Sequence, residues 1–276
     1  WFDHTLYSDH NEWFFYGKAR LQYFPLQYYG VGINANADVK AIVDSDLLWF
    51  KERILRRVKG SLYVGLELEF RSTRNVTYRP EEGYEELTPP SGFEDNTLFG
   101  LGLGVIYDSC HNAMNVRDGE LFEIGGLIYP SVFSDYSMRQ LFFDARVFRS
   151  TVASQVLAMQ LAGNFTFGDV PFSQLSTIGG SYLMRGYYTG RYQDRNMVAG
   201  QVEYRFLPFV RGGRLGGAVF ASAGTVAPDF TPTRVVWAVG LGPRILLFPQ
   251  KDIYTRLDFA FTEEGSGAYF YIGEAF

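Results

Sequence analysis

Asn196-Met197-Val198-Ala199-Gly200-Gln201-Val202-Glu203-Tyr204-Arg205-Phe206 alternates without a break. Successive side chains of an extended strand point to opposite faces. Val198, Gly200, Val202, Tyr204 and Phe206 therefore share one side, and Met197, Ala199, Gln201, Glu203 and Arg205 the other. A helix would mix the two sets, because its period is 3.6. One face suits hydrocarbon; the other carries a carboxylate and a guanidinium in mid-strand.

The same pattern recurs on both sides of this stretch. In Ser61–Arg71, Leu62, Val64, Leu66, Leu68 and Phe70 oppose Tyr63, Gly65, Glu67, Glu69 and Arg71. In Asp252–Thr262, Ile253, Thr255, Leu257, Phe259 and Phe261 oppose Asp252, Tyr254, Arg256, Asp258 and Ala260. Leu157, Met159, Leu161, Phe165 and Phe167 form an apolar face in 151–167. A soluble sandwich also alternates. Here the strands run to about 10–15 residues, against about 5–6 in soluble sheets, and match a tilted bilayer crossing. Mid-strand charges (Asp144 and Arg146 also) need an aqueous or plugged interior. The fold class read from these patterns is all-β, an antiparallel transmembrane barrel of 12–14 strands.

Twelve strands are predicted: 12–25, 42–58, 60–74, 97–109, 119–133, 137–149, 151–167, 196–209, 214–227, 233–248, 252–263 and 267–276. Trp1–Tyr7 is a partial thirteenth. Connections must alternate between the two sides of the membrane. One set is 26–41, 75–96, 134–136, 168–195, 228–232 and 264–266; the other is 8–11, 59, 110–118, 150, 210–213 and 249–251. The three longest fall in the first set. Bacterial barrels carry long outer loops and short periplasmic turns, so this set reads as outer and the C-terminus as periplasmic. The segment 75–96 reads as an acidic outer loop.

Composition agrees. Among 276 residues, 17% are aromatic, 30 are glycine and 20% are charged, with net charge −5. The mean hydropathy of −0.08 is what one-for-one alternation produces. The lone Cys110 excludes a disulfide scaffold. No apolar run reaches the length of a membrane helix, and the acidic balance disfavours a nucleic-acid partner. The chain opens Trp1-Phe2-Asp3, without a basic start or an apolar core, so either a leader has been removed or an earlier part is absent. No linker or charge block marks a second domain, and 1–276 reads as one barrel domain.

The longest outer connection contains Ile178-Gly179-Gly180-Ser181-Tyr182-Leu183-Met184-Arg185-Gly186-Tyr187-Tyr188, and it leads straight into Gln201-Val202-Glu203-Tyr204-Arg205-Phe206. This resembles the bacterial surface antigen family, the C-terminal barrel of BamA, TamA and the two-partner-secretion transporters. That family folds a long outer loop, with an Arg-Gly-Phe/Tyr tip, back into the lumen. Tyr107-Asp108-Ser109 with Asn112 and Gly119 is similar to the family's Asp-x-Arg-x-Asn…Gly turn. Phe220-Ala221-Ser222-Ala223-Gly224 is similar to its Phe-x-Asp-x-Gly strand, and Ile272-Gly273-Glu274-Ala275-Phe276 to its closing strand with a terminal aromatic. These matches run in order over about residues 97–276. Departures exist: Ser222 stands at the aspartate, Cys110 at the arginine, and Glu274 where an aromatic is usual. The family barrel has sixteen strands and is accompanied by POTRA domains. The resemblance thus implies either a short member or a chain whose N-terminal strands are missing.

An arginine inside a barrel needs an anionic partner. For Arg185 the candidates are Glu203 and Asp258, with Ser222 at the position of the family's aspartate. Gly186 allows a tight turn, and Tyr187 can pack and hydrogen-bond. The closing-strand candidates are Ile272, Gly273 and Phe276. The resemblance implies a role in outer-membrane protein insertion or polypeptide translocation in a Gram-negative outer membrane. Its partners would be lipid, a client barrel or secreted polypeptide, and periplasmic or lipoprotein subunits. The alternative is a passive pore or a structural membrane subunit. An enzyme is not expected: His4, His10 and His111 fall at the N-terminal segment or in turns, no Gly-x-Ser-x-Gly elbow occurs, and Cys110-His111 sits in a turn. No cofactor or metal is expected.

Overall fold

The computed structural model describes residues 2–23, 25–85, 89, 91–112, 114–151, 155–208 and 213–276. The strands are β1 (Phe2–Tyr7), β2 (Trp13–Tyr23), β3 (Leu26–Tyr28), β4 (Ala41–Lys59), β5 (Leu62–Pro80), β6 (Asn96–Asp108), β7 (Gly119–Tyr129) and β8 (Met138–Ser150). They continue with β9 (Gln155–Gly168), β10 (Ser176–Ile178), β11 (Tyr192–Asp194), β12 (Asn196–Phe206), β13 (Leu215–Ala227), β14 (Val236–Phe248), β15 (Ile253–Thr262) and β16 (Gly265–Ile272).

Thirteen of them form one antiparallel path, β1-β2-β4-β5-β6-β7-β8-β9-β12-β13-β14-β15-β16, with β3 added beside β4 and β10–β11 forming a separate hairpin. This is a transmembrane β-barrel. Each of the twelve expected strands is present, and the partial thirteenth is β1, paired with β2 from Phe2↔Ala19 to Tyr7↔Phe14. Trp1 of that expectation lies outside the described residues.

The alternation decides which face looks where. Leu66, Leu103 and Ile124 are about half exposed on the outer wall, whereas Glu67, Glu203, Arg205, Arg256 and Asp258 are buried on the lumen side. In a lipid-spanning sheet the apolar side faces hydrocarbon and the ions share the interior.

Several boundaries differ from expectation. β5 continues to Pro80 because Val76, Thr77 and Tyr78 suit a strand and β4 pairs with them up to Ala41↔Pro80. Only the rest of the acidic segment is loop, and its residues 86–88 and 90 lie outside the described residues. β7 stops at Tyr129, before Pro130, which cannot donate to a ladder. The closing strand ends at Ile272 instead of 276: Gly273 takes a positive φ of 90° and turns the chain inward. The turn expected at 210–213 falls mostly on the undescribed 209–212. That expected at residue 150 spans 151–154, of which 152–154 are likewise outside.

Long connections gather at one end of the barrel, as expected. The longest, between β9 and β12, holds the β10–β11 hairpin. Its tip enters the lumen, where Ile178, Met184, Tyr187 and Tyr192 pack on Ala199, Val226, Val236 and Ala238 of the wall.

Candidate functional site

Alternation places Glu203 and Arg205 of β12, Arg244 of β14, and Arg256 and Asp258 of β15 on the lumen side, and all five are fully buried. Into this wall the hairpin tip brings Arg185, itself 1% exposed. Its Nη1 donates to Asp258 Oδ2 at 2.6 Å and its Nη2 to Glu203 Oε2 at 2.6 Å. Gln201 Oε1 accepts from the same Nη2 at 3.4 Å. The guanidinium carbon lies 3.5 Å from the centre of the Phe220 ring, a cation–π contact in a dry setting.

The carboxylates are shared. Asp258 also accepts from Arg244 Nη1 and Arg256 Nη1, each at 2.6 Å. Glu203 Oε1 accepts from Arg205 Nε at 2.8 Å. Glu274 Oε2 accepts from Arg244 Nε at 2.9 Å. Four guanidiniums therefore share three carboxylates. Buried charges are tolerable only when paired and hydrogen-bonded, and this network supplies both conditions.

The rest of the tip is fixed by its neighbours. Gly186 has φ 108°, and a Cβ there would stand 2.6 Å from Thr262 Cγ2, so glycine is required on both counts. The Gly186 N–H donates to the Tyr269 hydroxyl at 2.9 Å. Tyr187 donates its hydroxyl to the Trp237 carbonyl at 3.0 Å. Arg256 Nη2 donates to the Ser181 carbonyl at 2.9 Å, and Gln201 Nε2 to that of Tyr182 at 2.9 Å. The hairpin base is held separately: Arg191 Nε and the Tyr192 hydroxyl donate to Glu264, at 2.7 and 2.6 Å.

Of the three expected partners of Arg185, Glu203 and Asp258 bind it directly. Ser222 does not: its short side chain is buried and its Oγ has no hydrogen-bond partner among the described residues. Two carboxylates from β12 and β15 take the guanidinium instead. Ile272 is exposed on the outer wall, Gly273 makes the inward turn, and Phe276 packs on Phe148 with ring centres 6.0 Å apart.

Arg244 was not singled out from the sequence. The signal was there: Ala238, Gly240, Gly242 and Arg244 share one side of β14, so a lone arginine sits on a face of small residues. In the sequence Phe220 stands out only as part of the Phe220-Ala221-Ser222-Ala223-Gly224 stretch. It has room because a Cβ at Gly240 would stand 2.2 Å from its ring.

At the short-turn end, 109–118 reaches across to the far wall. Arg117 Nε donates to Asp252 Oδ2 at 2.5 Å, Asn115 Nδ2 to the same carboxylate at 2.9 Å, and Asn112 Nδ2 to the Lys251 carbonyl at 3.0 Å. The Glu274 N–H donates to the Met114 carbonyl at 3.2 Å. Cys110 lies in this turn with its N–H on Asp108 Oδ1. Burial, with Asp108 beside it, pushes its thiol up to about 12.

The sequence matches the Omp85 superfamily domain over residues 10–276. Among solved structures, BamA from Haemophilus ducreyi lacking POTRA domains 1–3 aligns with a TM-score of 0.60 at 15% identity, covering 98% of this chain and 59% of that one. This chain thus spans about three-fifths of that solved chain. The likeness is one of fold. OpdK from Pseudomonas aeruginosa with vanillate aligns at 12% identity over 94% of each chain, but its TM-score of 0.29 carries no argument. No curated protein matches.

Proposed function

Because this chain belongs to the Omp85 superfamily, we propose that it serves membrane-protein insertion or polypeptide translocation in the outer membrane of a Gram-negative bacterium. The observation that carries the reading is the docked hairpin tip, with Arg185 held by Glu203 and Asp258. A lumen loop fixed by buried ion pairs occupies the space a free-running pore would keep open. Client chains, lipid and periplasmic or lipoprotein subunits are the partners this reading requires. We read the protein as non-enzymatic: His4 sits on Glu52 in β1, while His10 and His111 are exposed in separate turns.

The test is depletion of the protein in its host, with quantification of other outer-membrane barrels and of secreted polypeptides. Loss of either class supports the reading. Unchanged levels, together with a large stable conductance in planar bilayers that does not depend on residues 176–195, would favour a passive pore instead.

A further inference from the structure

A separate, partly open cavity of about 520 Å³ lies in the lumen on the β4–β5 side, and the Arg185 network takes no part in its lining. Its wall comes mainly from β4 and β5, with Gln140 and Phe142 of β8, Asn164 of β9 and Met197 of β12; its roof is the segment Phe172–Thr177 of the long connection. Arg71 enters this space from β5. The other lumen arginines, Arg53, Arg146, Arg185, Arg205, Arg244 and Arg256, each have a carboxylate within 4 Å. Arg71 has none among the described residues. Its Nη1 donates to Gln174 Oε1 at 3.3 Å, and its buried Nε, like those of Arg185 and Arg256, has no partner among the described residues.

Register explains the imbalance. Glu69, which lines the same cavity, is faced across the ladder by Lys51, whereas Arg71 is faced by Trp49. Four more buried groups around the cavity can donate and have no partner among the described residues: Trp49 Nε1, Thr73 Oγ1, Ser173 Oγ and Gln174 Nε2. Thr73 and Gln174 are each 6% exposed. The lining is mixed: Lys51, Glu69, Gln140 and Asn164 add polar groups, while Phe93 stacks on Phe172 with centroids 4.1 Å apart, near Val43, to form its apolar part. A half-buried guanidinium with no carboxylate within 4 Å among the described residues, several unused donors and a stacked aromatic pair together describe a receptor for an anion with an apolar body.

We propose that this cavity binds an amphipathic organic carboxylate, with Arg71 seating the anionic head and the Phe93–Phe172 pair the apolar body. Because the roof belongs to the long connection, the bound ligand also holds that connection in place. The site does not depend on the insertion or translocation reading.

The experiment is a titration of the folded protein in detergent with 4-nitrobenzoate, following tryptophan fluorescence, since Trp49 lines the cavity. Neutral 4-nitrobenzyl alcohol is the control. Saturable quenching is expected from the carboxylate. It weakens by about tenfold or more for the alcohol and for Arg71→Gln, as the loss of a charge-assisted hydrogen bond requires. Ser173→Phe, which fills the cavity from the roof, abolishes it, and this variant decides the matter if Arg71→Gln does not fold. Equal quenching by acid and alcohol, or saturable quenching that survives Ser173→Phe, overturns the proposal.

Discussion

Arg244 Nε stands 2.9 Å from Glu274 Oε2, and the same guanidinium reaches Asp258 Oδ1 at 2.6 Å. The segment after β16 is thereby joined to the ion network that pins Arg185. Arg205 adds a second link, donating through Nη2 to the Phe276 carbonyl at 3.0 Å. The loop tip and the inward-turned end of the chain are two branches of one buried network.

Arg185→Ala leaves Glu203 and Asp258 short of one cation inside the barrel. Removing one partner of a buried pair costs about 3–5 kcal/mol. The hairpin tip should undock, and limited proteolysis at residues 176–195 should become much faster. Cleavage at the wild-type rate would reject this docking role.

Energetic coupling separates direct from indirect partners. A double-mutant cycle of Arg185→Ala with Asp258→Asn, and another with Glu203→Gln, should each give an interaction energy of about 1–3 kcal/mol. A cycle with Ser222→Ala should give additivity, since its hydroxyl makes no hydrogen bond. Additivity at both carboxylates would remove the basis for the pairing.

Glu274→Ala frees Arg244 Nε and removes one anchor of residues 273–276. Hydrogen exchange should accelerate in that segment and in β16, which among the described residues pairs with β15 alone. Protection unchanged from wild type would show that Gly273, the Met114 carbonyl and the Arg205–Phe276 link hold the turn without Glu274.

Cys110 supplies a pH test. Only the thiolate reacts, and the thiol is held up at about 12. At pH 8 roughly one molecule in ten thousand is then ionised. Alkylation of the folded protein should be slow there and should rise with pH toward 12. Denaturation returns the thiol to its ordinary range and should speed the reaction. Equal rates in the folded and unfolded chain at pH 8 would contradict the half-buried setting beside Asp108.

Heat modifiability tests the fold itself. The unboiled protein should migrate faster in mild SDS than the boiled one, because the ladders of a barrel resist detergent. Identical migration would count against a barrel.

Much of this was legible in the residue order. Alternation is local, so strand identity, the lipid and lumen faces, the side of each loop, and Glu203 and Asp258 as lumen charges follow from positions two apart in one strand. Depth and partnership are not local. Arg185 meets Asp258 across 73 residues of sequence and Arg205 meets Phe276 across 71. Only the curvature of the sheet brings β12, β14 and β15 to face the same loop tip. The register of β4 on β5, which gives Glu69 a lysine neighbour and leaves Arg71 with a tryptophan, likewise depends on the bulge near Arg57 beside the hairpin turn, which no single strand encodes. Side-chain direction is set by each strand on its own, whereas pairing between ions is set by how all the strands close around them.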